Sequence, residues 1–144
     1  MESESSNHIT IVYELLKQIH DAILLLQECN KDVNDFHDLE MSSSGMQRLA
    51  GNCMLIQAIG ENIKKIDKYT DGKFFLSRPE IPWKKAMGMR DRISHGYFEI
   101  DTGFVEDIIT NDLAPLLVAI DSLIAETEKQ LLEQQVDEHQ EGIE

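Results

Sequence analysis

Three stretches of this chain repeat apolar side chains every three to four residues, and none alternates them every second residue. Val12, Leu15, Leu16, Ile19, Ala22, Ile23 and Leu26 form the first stripe, and Met46, Leu49, Cys53, Ile56, Ile59, Ile63 and Ile66 the second. Val105, Ile108, Ile109, Leu113, Leu116, Leu117, Ile120, Leu123 and Ile124 form the third. An α-helix turns about 100° per residue, so this spacing gathers the apolar groups on one face, whereas a half-buried strand needs a period of two. The fold class that follows is all-α, an up-and-down bundle of four to five helices. Its 144 residues suit a single core, and an aromatic content of 6% beside 42% hydrophobic residues fits helices better than a sandwich. A bundle of this kind often completes its core as a homodimer.

Local signals set the expected boundaries. The first helix runs from Ile9 to about Cys29, after a polar, flexible stretch 1–8. The segment KDVNDFHDLE is either a short helix or an irregular turn. Hydroxyls in SSSG supply N-caps for the second helix, and Lys64, Lys65 and Lys68 fall in its last turns, where the helix dipole favours cations. YTDGKFFLSRPEI reads as a loop with room for one helical turn. Pro82 suits the first position of a third helix, because the hydrogen it lacks would be unpaired there, and this helix continues to about Ser94 with Gly96 ending it. Trp83 on this helix reads as a core residue. Asp101 or Thr102 opens the last helix, and Pro115 bends or splits it near Asn111 to Ala114. The helical domain spans 9–132, and the acidic, apolar-poor tail 133–144 is expected to fray or be disordered.

The formal charge of −14 disfavours indiscriminate nucleic-acid binding, yet it is unevenly spread. Between Lys64 and Arg92 stand nine of the thirteen basic residues against four of the twenty-seven acidic ones. That run is either a solvated mixed-charge face or a basic floor for a polyanion. Cys29 and Cys53 lack any CxxC or histidine-rich neighbourhood and read as free thiols in a reducing compartment. With no apolar leader and no run of eighteen apolar residues, the expectation is a soluble, cytoplasmic protein. His8, His20, His37 and His139 show no metal spacing, and neither a metal nor a cofactor is expected.

The chemistry concentrates in MRDRISHGYF, residues 89–98. Arg90 and His95 would be about 140° apart on a regular helix, and Gly96 offers the break that lets His95 and Tyr97 project to the side Arg90 faces. Asp91, four residues before His95, is placed to hold the imidazole in one tautomer. A histidine that trades protons near neutral pH, with an arginine to stabilise developing phosphorane charge, suffices to cut RNA through its own 2′-hydroxyl without a metal. On spacing alone, His95 reads first as a helix-capping or solvent-facing residue. Glu61 reads as a solvated helix glutamate or as a carboxylate that orients Arg90. Lys84, Lys85 and Arg92 are candidates for contact with the phosphate backbone.

The stretch PWKKAMGMRDRISHGYFEID, followed by VEDIITNDLAPLL, resembles the R-x4-H-x-Y region of the HepT-like toxins, a branch of the HEPN ribonuclease superfamily. IGENIKKI, Ile59 to Ile66, is similar to that family's IGEA segment, so the likeness covers most of the chain. The resemblance implies a HEPN-type bundle acting as a dimeric, metal-independent endoribonuclease toxin, with Arg90 and His95 catalytic at a composite cleft. It implies RNA as substrate, tRNA or mRNA, and a cognate MntA-like nucleotidyltransferase antitoxin that transfers AMP to Tyr97. Gly96 departs from the bulkier or acidic residue common there. A competing reading is a non-catalytic HEPN module that holds a nucleotide or a nucleotidyltransferase.

Overall fold

The computed structural model describes residues 2–93 and 99–143, and within them the chain is helical. Helix α1 spans Glu2–Asn30, a 3-10 segment Phe36–Met41, and α2 Ser43–Tyr69. A second 3-10 turn, Phe74–Ser77, leads to two short helices, α3 (Trp83–Met87) and α4 (Met89–Ile93). Helix α5 (Thr102–Asp107) runs through a π-turn, Ile108–Asp112, into α6 (Leu113–Ile143).

The predicted stripes are the core. Leu16, Ile19, Ile23 and Leu26 of α1 are fully buried against Ile56, Ile63 and Ile66 of α2 and Ile120 of α6. Each such side chain withdrawn from water contributes roughly 1.5–3 kcal/mol before ordering entropy is charged against it. Polar links fix the directions: Asn62 of α2 reaches Gln18 of α1, while Tyr13 and His20 of α1 reach Glu128 and Asp121 of α6. Since the pairs run in opposite senses along the chain, α1 is antiparallel to both neighbours, giving the up-and-down arrangement. A buried amide pair adds register: Asn30 and Asn52 each donate to the other's carbonyl oxygen at 2.9 Å, and Asn30 also donates to the Leu26 carbonyl.

The caps fall where local chemistry puts them. Ser42 Oγ accepts from Gly45 N–H at the start of α2, and the Asp101 carboxylate accepts from Phe104 N–H at the start of α5. Met46, assigned to the buried stripe, is instead 40% exposed. Gly45 occupies the inner position, because the backbone of Leu39 lies so close that a Cβ on Gly45 would overlap its carbonyl oxygen. Trp83, stacked on Phe75 at 4.0 Å and donating to the Arg78 carbonyl, is buried as expected.

Four boundaries differ from the reading of periodicity. α1 begins at Glu2 rather than Ile9, and α6 continues through 133–143, because Glu, Gln and Leu sustain a helix without an apolar stripe. The third helix is not continuous from Pro82 to Ser94. Gly88, with φ −93° and ψ 5°, interrupts it and divides α3 from α4. The irregularity attributed to Pro115 overlaps its expected place, Asn111 to Ala114, but begins three residues earlier, at Ile108. Proline clashes with the carbonyl four residues back, here Asn111, and the chain absorbs the misfit as a π-turn in which Leu113 N–H bonds the Ile108 carbonyl. The helix Thr102–His139 is long and apolar enough to cross a membrane, but Val105, Ile108, Leu113, Ile120 and Leu123 of its apolar stripe are packed inside the bundle.

Candidate active site

Met89 and Ile93 are the buried residues of α4, at 6% and 0% exposure, so the helix points Arg90, Asp91 and Arg92 outward. α3, which leads into α4, approaches α2 backbone to backbone. A Cβ on Gly60 of α2 would sit 2.8 Å from the Ala86 carbonyl oxygen of α3. Only the missing side chain lets α3 lie against α2 at that point, and α4 follows directly from it.

This approach brings Arg90 across to α2. Its Nη1 donates to Glu61 Oε1 at 3.3 Å, in a pair whose side chains remain 67% and 52% exposed. Glu61 is thus both half-exposed and in contact with Arg90, the contact that an orienting role would need. The pair is worth little to stability at such exposure, about 0–1 kcal/mol, but it restricts where the guanidinium can be. One nitrogen is held, and the rest of the planar fork stays open to an anion.

The backbone flanking residues 94–98 is tied together, with Asp101 N–H donating to the Ile93 carbonyl at 2.8 Å. His95, Tyr97 and the break expected at Gly96 lie outside the described residues, as does any contact of Asp91 with His95. Among the phosphate-contact candidates, Lys84 and Lys85 are exposed on α3. Arg92 is exposed too, yet its guanidinium carbon lies 4.3 Å from the centre of the Phe104 ring, a cation–π contact with no local signature in the chain.

Arg78 must be taken out of the basic floor. Its guanidinium donates to Ser122 Oγ and Glu126 Oε1, both at 2.6 Å, and to Ser77, so it fastens the loop before α3 to α6. Among the described residues no group of three His, Cys, Asp or Glu side chains is arranged to hold a metal ion. Both cysteines are free. Cys29 is exposed, whereas burial pushes the Cys53 thiol up to about 11.

Comparison with known proteins places the chain in a family. A Methanocaldococcus jannaschii protein with the provisional name RNase MJ0127 is 24% identical over 115 residues, covering 78% of this chain and 92% of its own. A second from that organism, provisionally RNase MJ1380, is 30% identical over 71% of this chain and 83% of its own. "Probable ribonuclease HepT" of Thermococcus cleftensis is 28% identical over 72% of this chain and 86% of its own. No solved structure gives a significant match. The family model "Ribonuclease HepT-like" matches residues 19–123, from the middle of α1 to the middle of α6, and so takes in Gly60, Glu61 and the whole of MRDRISHGYF; the chain belongs to the HepT-like ribonuclease family.

Proposed function

We propose that this chain is the toxin of a type VII toxin–antitoxin system: a cytoplasmic, metal-independent endoribonuclease that works as a homodimer. Arg90 and His95 are its catalytic residues, with Glu61 and Asp91 in support, and two copies face each other across one RNA strand. His95 of one copy takes the proton from a ribose 2′-hydroxyl, whose oxygen forms a new bond to the adjacent phosphorus. The bond from phosphorus to the 5′-oxygen breaks, and that oxygen receives a proton from the second copy's histidine. Arg90 stabilises the charge on the non-bridging oxygens in between. The single observation that supports this reading is the Arg90 guanidinium, held by Glu61 on an exposed edge directly before the segment that carries His95.

Regulation follows from Tyr97, two residues from His95. AMP placed there by an MntA-like nucleotidyltransferase would put an anion where the substrate phosphate must bind, and so repel RNA. The test uses the purified chain with and without the antitoxin. RNA should be cut in the presence of a metal chelator, and both His95→Ala and Arg90→Ala should abolish cutting while remaining folded. Co-expression with the nucleotidyltransferase should add the mass of whole AMP units at Tyr97 and silence the enzyme. Equal cleavage by His95→Ala would overturn the assignment and leave the binding-module reading in its place.

A further inference from the structure

Four of the thirteen Lys and Arg side chains, Lys31, Arg48, Arg78 and Arg90, make an ion pair among the described residues, and the other nine make none. Lys31 and Arg48 are paired with Glu28 and Asp32, and Arg78 with Glu126. Lys64, Lys65 and Lys68 are exposed on α2 and make no ion pair among the described residues, in a chain that carries twenty-seven carboxylates. Glu61, the acid three and four residues before Lys64 and Lys65, would ordinarily take one of them as a helical neighbour. It is committed to Arg90 instead.

Their placement is continuous with the site. At about 100° per residue, Glu61, Lys64, Lys65 and Lys68 fall within an arc of roughly 100° on the solvent face of α2. Lys64 lies on the side of that arc toward Gly60, where α3 crosses. A rise of 1.5 Å per residue puts Lys68 about 10 Å along the axis from Glu61. Tyr69 closes the row, 45% exposed and with its ring 6.0 Å from that of His8. Asp67, the acid within this turn, falls outside the arc by the same geometry. A row of unpaired cations one helix wide, ending in an exposed aromatic ring, has the make-up of a track for one nucleic-acid strand: ammonium groups follow the backbone and the ring stacks on a base.

We infer that the C-terminal half of α2, through Lys64, Lys65, Lys68 and Tyr69, holds the single-stranded RNA flanking the scissile phosphate, so that the enzyme requires an unpaired extension on one side of its cut. This rests on the ribonuclease reading above. It adds α2 to Lys84 and Lys85 on α3, which are likewise exposed and without an ion pair among the described residues.

The test compares the triple variant Lys64→Gln/Lys65→Gln/Lys68→Gln with a control triple, Lys17→Gln/Lys31→Gln/Lys129→Gln, which removes the same charge elsewhere. Substrates are fluorescent single-stranded RNAs that share one cut site and lose their flanks stepwise. The α2 triple should raise KM for the long RNA about tenfold and leave kcat within about twofold. It should lower the salt slope of binding by about 2, from three contacts at roughly 0.7 each. On the shortest RNA it should match wild type. Tyr69→Ala should weaken the long substrate alone, and Tyr69→Phe should restore it. If the α2 triple behaves as the control triple does, the track is refuted. It is equally refuted if RNA binding is intact and only the nucleotidyltransferase is lost, since the row then serves a protein partner. Binding of the long RNA to His95→Ala, with and without the α2 triple, reads the track without cleavage. Should wild type cut nothing, that measurement separates failure of the ribonuclease reading from failure of the track.

Discussion

Two glycines of α2 look alike in the sequence and should respond oppositely to the same substitution. Gly51 faces solvent, with nothing within 4 Å of where a Cβ would stand. Gly51→Ala should therefore stabilise the protein by the helix propensity alone, about 0.5–1 kcal/mol. For a chain of this size that is a rise in Tm of roughly 2–4 °C. Gly60→Ala gains the same propensity but drives a methyl to 2.8 Å from the Ala86 carbonyl oxygen, an atom of the backbone that no rotamer change can move. Overpacking of this kind costs about 1–3 kcal/mol, so the net effect should run from near zero to about 2 kcal/mol of destabilisation. The functional effect should exceed the thermal one. Relieving the contact means lifting α3 by about half an ångström, and α4 moves with it, whereas the Arg90 to Glu61 distance of 3.3 Å is already long for a hydrogen bond. Misplacement of a positioned group by an ångström can cost a hundredfold in rate, so a loss of about tenfold in RNA cleavage is expected from this smaller shift. Thermal melts and cleavage rates of the two single variants suffice. Were Gly60→Ala to melt as high as Gly51→Ala and cut RNA at the wild-type rate, the idea that a missing side chain seats Arg90 would be wrong.

The Asn30–Asn52 pair should show strong coupling in denaturant melts. Asn52→Leu alone leaves the buried Asn30 carbonyl oxygen without its partner while the bond to Leu26 remains, and should cost about 1–3 kcal/mol, whereas Asn30→Leu/Asn52→Leu should recover most of it. Arg78→Met should destabilise by about 1–2 kcal/mol through the lost hydrogen bonds to Ser77, Ser122 and the half-exposed Glu126, yet leave the salt dependence of RNA binding unchanged, which filter binding would read. An alkylating probe at pH 8 should label Cys29 quickly and Cys53 only as the protein unfolds. Because burial raises the Cys53 thiol from 9.0 to about 11, its neutral form is favoured in the fold. That contribution is complete below pH 9 and declines as pH rises toward 11, so Cys53→Ala should flatten the stability curve in that window.

What the sequence made legible was what neighbours along the chain decide. The apolar stripes, the Ser42 and Asp101 caps and the consequence of Pro115 all follow from spacing or from the chemistry of one residue acting on its own helix. The rest depends on which elements meet. Gly60 and Gly51 cannot be told apart until α3 is laid across α2. Gly88 reads as a tolerable helical glycine, because nothing local says that Trp83 must turn toward Phe75 while Met89 and Ile93 turn inward. Arg78 sits in a basic run and looks like its neighbours, although the partners that claim it are forty-four and forty-eight residues away. Glu61 could be named from sequence, but its contact with Arg90 spans twenty-nine residues and exists only through the backbone approach at Gly60.

Pairing also explains how an acidic chain can serve a polyanionic substrate. Outside Lys64–Arg92 the protein carries four basic and twenty-three acidic residues. At physiological ionic strength exposed charges are screened beyond about 8 Å, so the field at the Arg90 edge is set by what lies within a turn or two of helix, not by the total of −14. Close to that edge the exposed acids are Glu61, paired with Arg90, and Asp91 beside it, and the residues that follow Glu61 on its face are Lys64, Lys65 and, about 10 Å on, Lys68. An RNA strand lying elsewhere meets mostly carboxylates and is repelled. The same charge that looks hostile to RNA therefore sharpens discrimination between one narrow track and the rest of the surface. Moderate salt should weaken binding on the track while relieving repulsion elsewhere. The ratio of productive to unproductive complexes should accordingly fall as salt rises, faster than the overall affinity does.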